Sequence, residues 1–447
     1  MDQKSKLVDN SNDNTINRRK FLAGAAAAAA FTIVPRHVLG GPGFKAPSEK
    51  LNIAAIGCGG KATSNLSGCK GENIVALCDV DWARGKWGFD TFPKAAKYKD
   101  YRVMLEEQKD NIDAVIVTTP DHTHAVATMA AIKAGKHVYC EKPLTHTIHE
   151  ARVITQAAKK AGVATQMGNQ GRSGSGIRVI KEYYLAGAIG EIKEIHCWTN
   201  RPIDVWPQGI NRPKEVHKVP DTLNWDLWQS CAPHRPYNSA YAPFNWRGWW
   251  DYGCGALGDM GCHIIDVPYW ALDLTSPTKV SAISTPVFKE TGPLVSMVTY
   301  DFPAEGKRPA VQMKWYDGKM MPTCPPEIKF LSDNGVLMVG DKGTLLCGCY
   351  GANPKLYLKD GKDFGKPKEL FERTNGHYDD WIKACKGGKA ASSNFDYAGP
   401  MTETVLLGNL AVRSGKALDW DAKNLKVTNY EDANQYVSKA YLNGFTL

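Results

Sequence analysis

The chain has 447 residues, 43% of them hydrophobic and 23% charged, with a formal charge of +9 at pH 7. That length exceeds the size at which one hydrophobic core stops growing, so two domains are expected, and the lack of an interior run of eighteen uninterrupted apolar residues excludes a spanning helix in the mature chain. Lysines alternate with acids, without a basic run or a basic patch interleaved with aromatics, which excludes a nucleic-acid partner.

The first forty residues differ from the rest. Asn17-Arg18-Arg19-Lys20-Phe21-Leu22 precedes the short, alanine-rich run Ala23 to Val34, which Pro35 closes. This has the form of a twin-arginine export signal, so residues 1–47 are read as signal and leader and the mature protein is expected in the periplasm. The route moves folded proteins. A periplasm holds no nicotinamide pool, so any dinucleotide cofactor is expected to be tightly bound and recycled in place. Twelve cysteines lack paired zinc spacing and Cys-x-x-Cys, and no disulfide is assigned.

From residue 48 to 170 strand and helix patterns alternate, which predicts a parallel sheet. Leu51 to Ile56 is a strand-type run followed at once by Gly57-Cys58-Gly59-Gly60-Lys61-Ala62. A glycine turn between strand and helix suits a dinucleotide pyrophosphate, with Gly57, Gly59, Gly60, Lys61 and Ala62 around it. Asp79 ends the second strand, Asn73 to Cys78, twenty-two residues after Gly57. An acid there binds ribose hydroxyls and repels a 2′-phosphate, favouring NAD over NADP, a preference that nearby Arg84 softens. Tyr101 to Gln108 and Ala125 to Ala134 read as helices, Ala114 to Thr119 and His137 to Cys140 as strands. Pro120-Asp121-His122-Thr123-His124 is read as a turn at a strand end, where open α/β sheets bind ligands. No metal site is expected from its His-x-His pair.

Glu141-Lys142-Pro143 closes the next strand, and Gly258-Asp259-Met260-Gly261-Cys262-His263 carries an Asp-x-x-x-His pattern. With the glycine turn, the Thr-Pro-x-x-x-His segment and the late Gly399-Pro400-Met401-Thr402-Glu403 stretch, these motifs resemble the glucose-fructose oxidoreductase and inositol dehydrogenase family, also called Gfo/Idh/MocA. The resemblance implies an N-terminal Rossmann fold with a doubly wound parallel sheet. It also implies an α+β C-terminal domain, residues 171–447, built on a large open, mainly antiparallel sheet. Thr119, Pro120, His124, Glu141, Lys142 and Asn169 fall at the strand ends expected to meet the cofactor.

Lys142, Asp259 and His263 are the candidate catalytic residues. Asp259 and His263 lie four apart, hence on one face of a helix, and Lys142 would face them from the Rossmann side. Removing hydride from a secondary alcohol needs a base for the hydroxyl proton and a cation for the developing alkoxide. His263 suits the first role and Lys142 the second. Asp259 would orient the imidazole or bind a sugar hydroxyl. The resemblance implies the same three positions. Substrate contacts are expected from Gln170 and Arg172 and from Trp246, Arg247 and Trp249, because indole faces stack on sugar C–H surfaces while hydroxyls need fixed polar partners. Asn224 to Trp228 is read as packing or an oligomer contact.

In the second domain, Ile192 to Trp198, Val280 to Thr285, Val298 to Phe302, Val311 to Trp315 and Gly335 to Leu346 read as strands, and Tyr430 to Leu442 as helix. By family analogy the outer sheet face would join a homodimer or homotetramer. Three functions are consistent with the chain: an NAD(P)-dependent oxidoreductase on a secondary hydroxyl of a sugar, polyol or glycoside; a glycoside hydrolase using NAD transiently through oxidation and elimination; and a non-catalytic dinucleotide-binding protein. The three candidate catalytic residues favour the first.

Overall fold

A computed structural model describes residues 49–447. The expected export signal lies outside the described residues. Leu51–Leu447 form one compact unit containing two sheets.

The first sheet has six strands: β1 (Asn52–Ile56), β2 (Asn73–Cys78), β3 (Ala96–Tyr98), β4 (Ala114–Val117), β5 (His137–Cys140) and β6 (Thr165–Met167). They are all parallel, in the order β3-β2-β1-β4-β5-β6. This is the doubly wound dinucleotide-binding order, in which ligands sit beyond the carboxyl ends of the strands where the order reverses, here between β1 and β4. β4 reads Ala-Val-Ile-Val and is buried throughout, as a parallel strand covered on both faces must be. The connecting helices are α1 (Ala62–Gly68), α2 (Trp82–Thr91), α3 (Tyr101–Glu107), α4 (Asp121–Lys133) and α5 (Ile148–Ala161). α4 begins at Asp121, so Asp121 to His124, expected as a turn at the strand end, already form its first helical turn. Pro120 holds the N-cap at φ −62°, and proline is favoured at helix starts because it has no N–H to leave unpaired.

After α6 (Ser175–Leu185) and β7 (Ile192–Trp198), a long excursion carries the short helix α7 (Trp225–Gln229) and leads to α8 (Gly255–Ile264) and α9 (Asp266–Ala271). The remaining strands are β8 (Lys279–Ser284), β9 (Ser296–Phe302), β10 (Val311–Tyr316), β11 (Gly335–Gly340), β12 (Gly343–Gly348) and β13 (Lys355–Leu358). The helices α10 (His377–Cys385) and α11 (Phe395–Ser414) and the strands β14 (Leu418–Asp421) and β15 (Lys426–Val427) complete the chain. The nine-stranded sheet runs β13-β12-β11-β7-β10-β9-β8-β14-β15 and is antiparallel except where β7 meets β10. The run expected as one strand over Gly335 to Leu346 is a hairpin turning at Asp341-Lys342. The expected C-terminal helix is only a 3₁₀ segment, Glu431–Tyr436, followed by loop.

α11 ties the sheets together. It packs on α5 and on β8, and Tyr300 of β9 donates its hydroxyl to the carbonyl of Val405. Gly408 permits that approach, since a Cβ there would lie 2.2 Å from the Tyr300 oxygen.

Candidate active site

A cavity of about 610 Å³ opens at the carboxyl ends of β1, β2 and β4 and extends to α8. Its near wall is the glycine turn. Gly57 sits at φ +87°, and a side chain there would strike the Thr118 carbonyl at 2.3 Å. Gly59 has a different steric reason: its Cβ would meet the Arg84 carbonyl of α2 at 2.2 Å. Asp79 fixes the turn from below, accepting the Cys58 N–H at 2.8 Å and the Asp81 N–H at 2.9 Å. Burial pushes its carboxyl up to about 6 against those two hydrogen bonds. The N–H groups of Gly59, Gly60 and Lys61 take no acceptor among the described residues and rim the cavity, forming a cradle for an anion.

The far wall holds Lys142, Asp259 and His263. Lys142 donates to the Asp259 carbonyl at 2.6 Å and to its carboxylate at 2.9 Å, and Arg247 donates to the same carboxylate oxygen at 3.2 Å. Burial opposes charge on Lys142 and on Asp259, but the ion pair overcomes it: Lys142 lies above its ordinary pKa and Asp259 below its own. Lys142 is therefore an ammonium at neutral pH, a donor to oxygen rather than a proton acceptor. His263, one turn along α8, is held neutral by burial and by the adjacent Lys142 charge, which lower its pKa well below the ordinary value. Its Nδ1 is sealed without a partner, leaving Nε2 as the ring nitrogen open to the cavity.

Two contacts place α8. The Cys254 N–H, just before the helix, donates to Asp121 at 3.0 Å, and Asn409 of α11 donates to the Cys254 carbonyl at 2.9 Å. The first turn of α4 thus positions α8 directly.

Of the residues expected in the site, Gly57, Gly59, Gly60, Lys61, Asp79, Thr119, Pro120, Glu141, Lys142, Gln170, Trp246, Arg247, Asp259 and His263 line this cavity. Ala62, His124, Asn169, Arg172 and Trp249 do not, for separate reasons. Ala62 is the buried first residue of α1. His124 lies under the strand ends, with its ring nitrogens 2.7 Å from the Pro143 carbonyl and 2.8 Å from the Thr119 carbonyl. Asn169 is fully buried and accepts from Ser393. Arg172 is stacked on Trp270 and Tyr397 at 4.1 and 4.7 Å. Trp249 is fully buried in an aromatic cluster, donating its indole N–H to the Ala240 carbonyl.

Sequence reasoning missed Tyr350 and the α7 segment. Tyr350 adopts φ +65°, a costly conformation for a bulky residue, and its ring meets the His263 ring edge-on at 4.5 Å. Gly171 leaves room for its backbone, since a Cβ there would be 2.7 Å from the Tyr350 Cα. The α7 segment, expected as packing or an oligomer contact, packs into the aromatic cluster through Trp225 and Trp228 and also forms part of the wall through Leu223, Leu227 and Trp228. It is fastened to the end of β2 by a bridge between Asp81 and Leu223 and by the Asn224 N–H donating to the Val80 carbonyl at 2.8 Å.

A six-stranded sheet of this order with a free-amide glycine turn at its switch point defines a Rossmann dinucleotide-binding protein. The chain belongs to the Gfo/Idh/MocA oxidoreductase family. Residues 51–169 match its NAD-binding Rossmann fold and residues 205–304 its C-terminal alpha/beta domain. Levoglucosan dehydrogenase of Pseudarthrobacter phenanthrenivorans is 29% identical over 168 residues, 38% of this chain and 34% of that protein. Inositol 2-dehydrogenase 3 of Saccharopolyspora erythraea is 34% identical over 166 residues, 35% of this chain and 46% of that protein. The matches thus span less than half the length of these relatives. Among solved structures, the WlbA dehydrogenase of Bordetella pertussis in complex with NADH and UDP-GlcNAcA superposes with a TM-score of 0.59 at 18% identity, over 83% of this chain and 99% of that one. The aldose-aldose oxidoreductase of Caulobacter crescentus, complexed with glycerol, gives 0.54 at 18% identity over the same shares. These structural likenesses establish the fold.

Proposed function

We propose that the protein oxidises or reduces a secondary hydroxyl of a sugar, polyol or glycoside, using NAD that stays bound between turnovers. The observation that carries this reading is the Lys142–Asp259 ion pair on the same cavity wall as neutral His263. The nicotinamide supplies the hydride acceptor or donor. In the oxidative direction, His263 takes the hydroxyl proton at Nε2 while the Lys142 ammonium holds the developing alkoxide. Asp259 fixes Lys142, and Trp246, with the Arg247 guanidinium 4.2 Å over its ring, offers an apolar edge to a sugar. The sugar and polyol dehydrogenases among its relatives support the substrate class. Asp79 favours NAD over NADP, and the α7 segment closing over its strand end suits retention of cofactor in a periplasm reached by the twin-arginine route. Homo-oligomerisation through the nine-stranded sheet belongs to the same proposal.

The test is mass spectrometry of the purified exported protein mixed with a panel of polyols and glycosides, reading bound cofactor and product together. A keto product with reduced cofactor is expected. Free aglycone with unchanged cofactor would replace the reading with the hydrolytic one, and protein released from a periplasm without any dinucleotide would overturn the retained-cofactor part.

A further inference from the structure

A second cavity, about 310 Å³, lies behind the catalytic helix, between α11 and the C-terminal loop. Its polar groups are unevenly satisfied. Lys439 is spent on three acceptors: Glu150 at 3.0 Å, the His122 carbonyl at 3.0 Å and His146 Nδ1 at 3.2 Å. Asp251 is turned to other partners, accepting from Arg212 at 2.8 Å and Arg235 at 3.0 Å. Arg413 is different. Its guanidinium lies 4.0 Å over the Tyr436 ring and 5.0 Å from the Trp250 ring, yet among the described residues it makes no hydrogen bond and no ion pair. Burial lowers its pKa, partly offset by Tyr436 and Asp251. The indole N–H of Trp250, on the same wall, is buried without an acceptor.

A half-buried guanidinium that faces a cavity with all five donors free is a fork for an oxyanion. Two aromatic faces hold it in place and contribute cation–π stabilisation, but they satisfy none of its N–H groups. An acceptor on a bound ligand would satisfy Arg413. We propose that this cavity is a binding site, separate from the active site, for a small compound bearing a carboxylate or phosphate, with Arg413 as its principal ligand. The site touches the catalytic machinery. Gly253 and Cys254 line it, and Asn409, also on its wall, is the residue that holds the Cys254 carbonyl at the start of α8.

The experiment is isothermal titration of the full chain, saturated with NAD so that the dinucleotide cradle is filled, with citrate and with inorganic phosphate at constant ionic strength. At least one of the two should bind saturably, and which one does separates a carboxylate from a phosphate ligand. Arg413→Met should weaken that binding at least tenfold, and Arg413→Lys, which keeps the charge but loses the planar fork, should weaken it severalfold. Equal thermal midpoints with wild type would show that each variant folds. Should Arg413→Met fail to fold, the Arg413→Lys comparison decides. No saturable binding of either probe, or binding unchanged in the folded variants, overturns the proposal.

Discussion

In the proposed reaction, Lys142 and His263 take opposite protonation states by environment rather than by residue type. A lysine paired with a buried carboxylate keeps its proton, and an imidazole next to that ammonium loses its own. The two should therefore fail differently when removed. His263→Ala takes away the proton acceptor, so kcat should fall by about 10²–10⁴ with NAD affinity intact. Lys142→Ala removes the alkoxide partner and also leaves Asp259 with Arg247 alone, and should cost about 10²–10³ in kcat. Steady-state kinetics beside an equilibrium titration with NAD separates these losses from misfolding, and near-normal turnover in either variant would refute the assignment. These positions were legible because four-residue spacing on a helix and a lysine at a strand end are local patterns. Arg172 and Trp249 share their residue types with true pocket residues. Only the tertiary structure turns Arg172 onto Trp270 and buries Trp249 against Tyr241.

At the scale of elements, the least expected contributor is the α7 segment. Asn224 caps it by accepting the Leu227 N–H at 3.0 Å, Trp225 and Trp228 stack at 4.7 Å, and the assembly lies against the end of β2. Leu227 is half-buried on the cavity wall. Leu227→Ala removes apolar surface worth about 1–2 kcal/mol in contact with a ligand, so NAD should bind roughly five- to thirtyfold more weakly. At saturating NAD, kcat should not change. An unchanged dissociation constant would remove the segment from the cofactor's end of the cavity. The tryptophans were visible in the sequence, but their destination was not, since it depends on a pairing between Asp81 and Leu223 far apart in the chain. The same limit explains the hairpin over Gly335 to Gly348. Asp341-Lys342 is a weak turn signal inside an apolar run, whereas the strands of the parallel sheet are bounded by glycine, proline and helix caps.

Over the whole molecule, buried titratable groups oppose one another in sign. His146, His263 and His377 have pKa values lowered from 6.5, with burial the leading cause, and for His377 the value falls to about 4. Below pH 6.5 the unfolded chain binds protons that the fold refuses, so these histidines remove stability as pH falls. Asp79 and Asp266 are raised to about 6 and Asp317 to about 7, again chiefly by burial. Between those values and 3.8 the fold holds protons that the unfolded chain releases, so these carboxyls add stability as pH falls. The two sets offset each other between about pH 6 and 4, and the contribution of one member emerges only when it is removed. His377 is suited to this test, because its Nδ1 faces the Ser173 hydroxyl at 2.8 Å and its Nε2 the Met167 carbonyl at 2.8 Å, a pattern of one acceptor and one donor that a glutamine amide reproduces. His377→Gln should be near wild type or less stable at pH 7.5. Relative to wild type it should gain up to about 1.4 kcal/mol per pH unit as pH falls from 6.5 towards 4. Urea midpoints measured for both proteins across that range should converge and then cross, and parallel curves would mean that His377 is protonated in the fold.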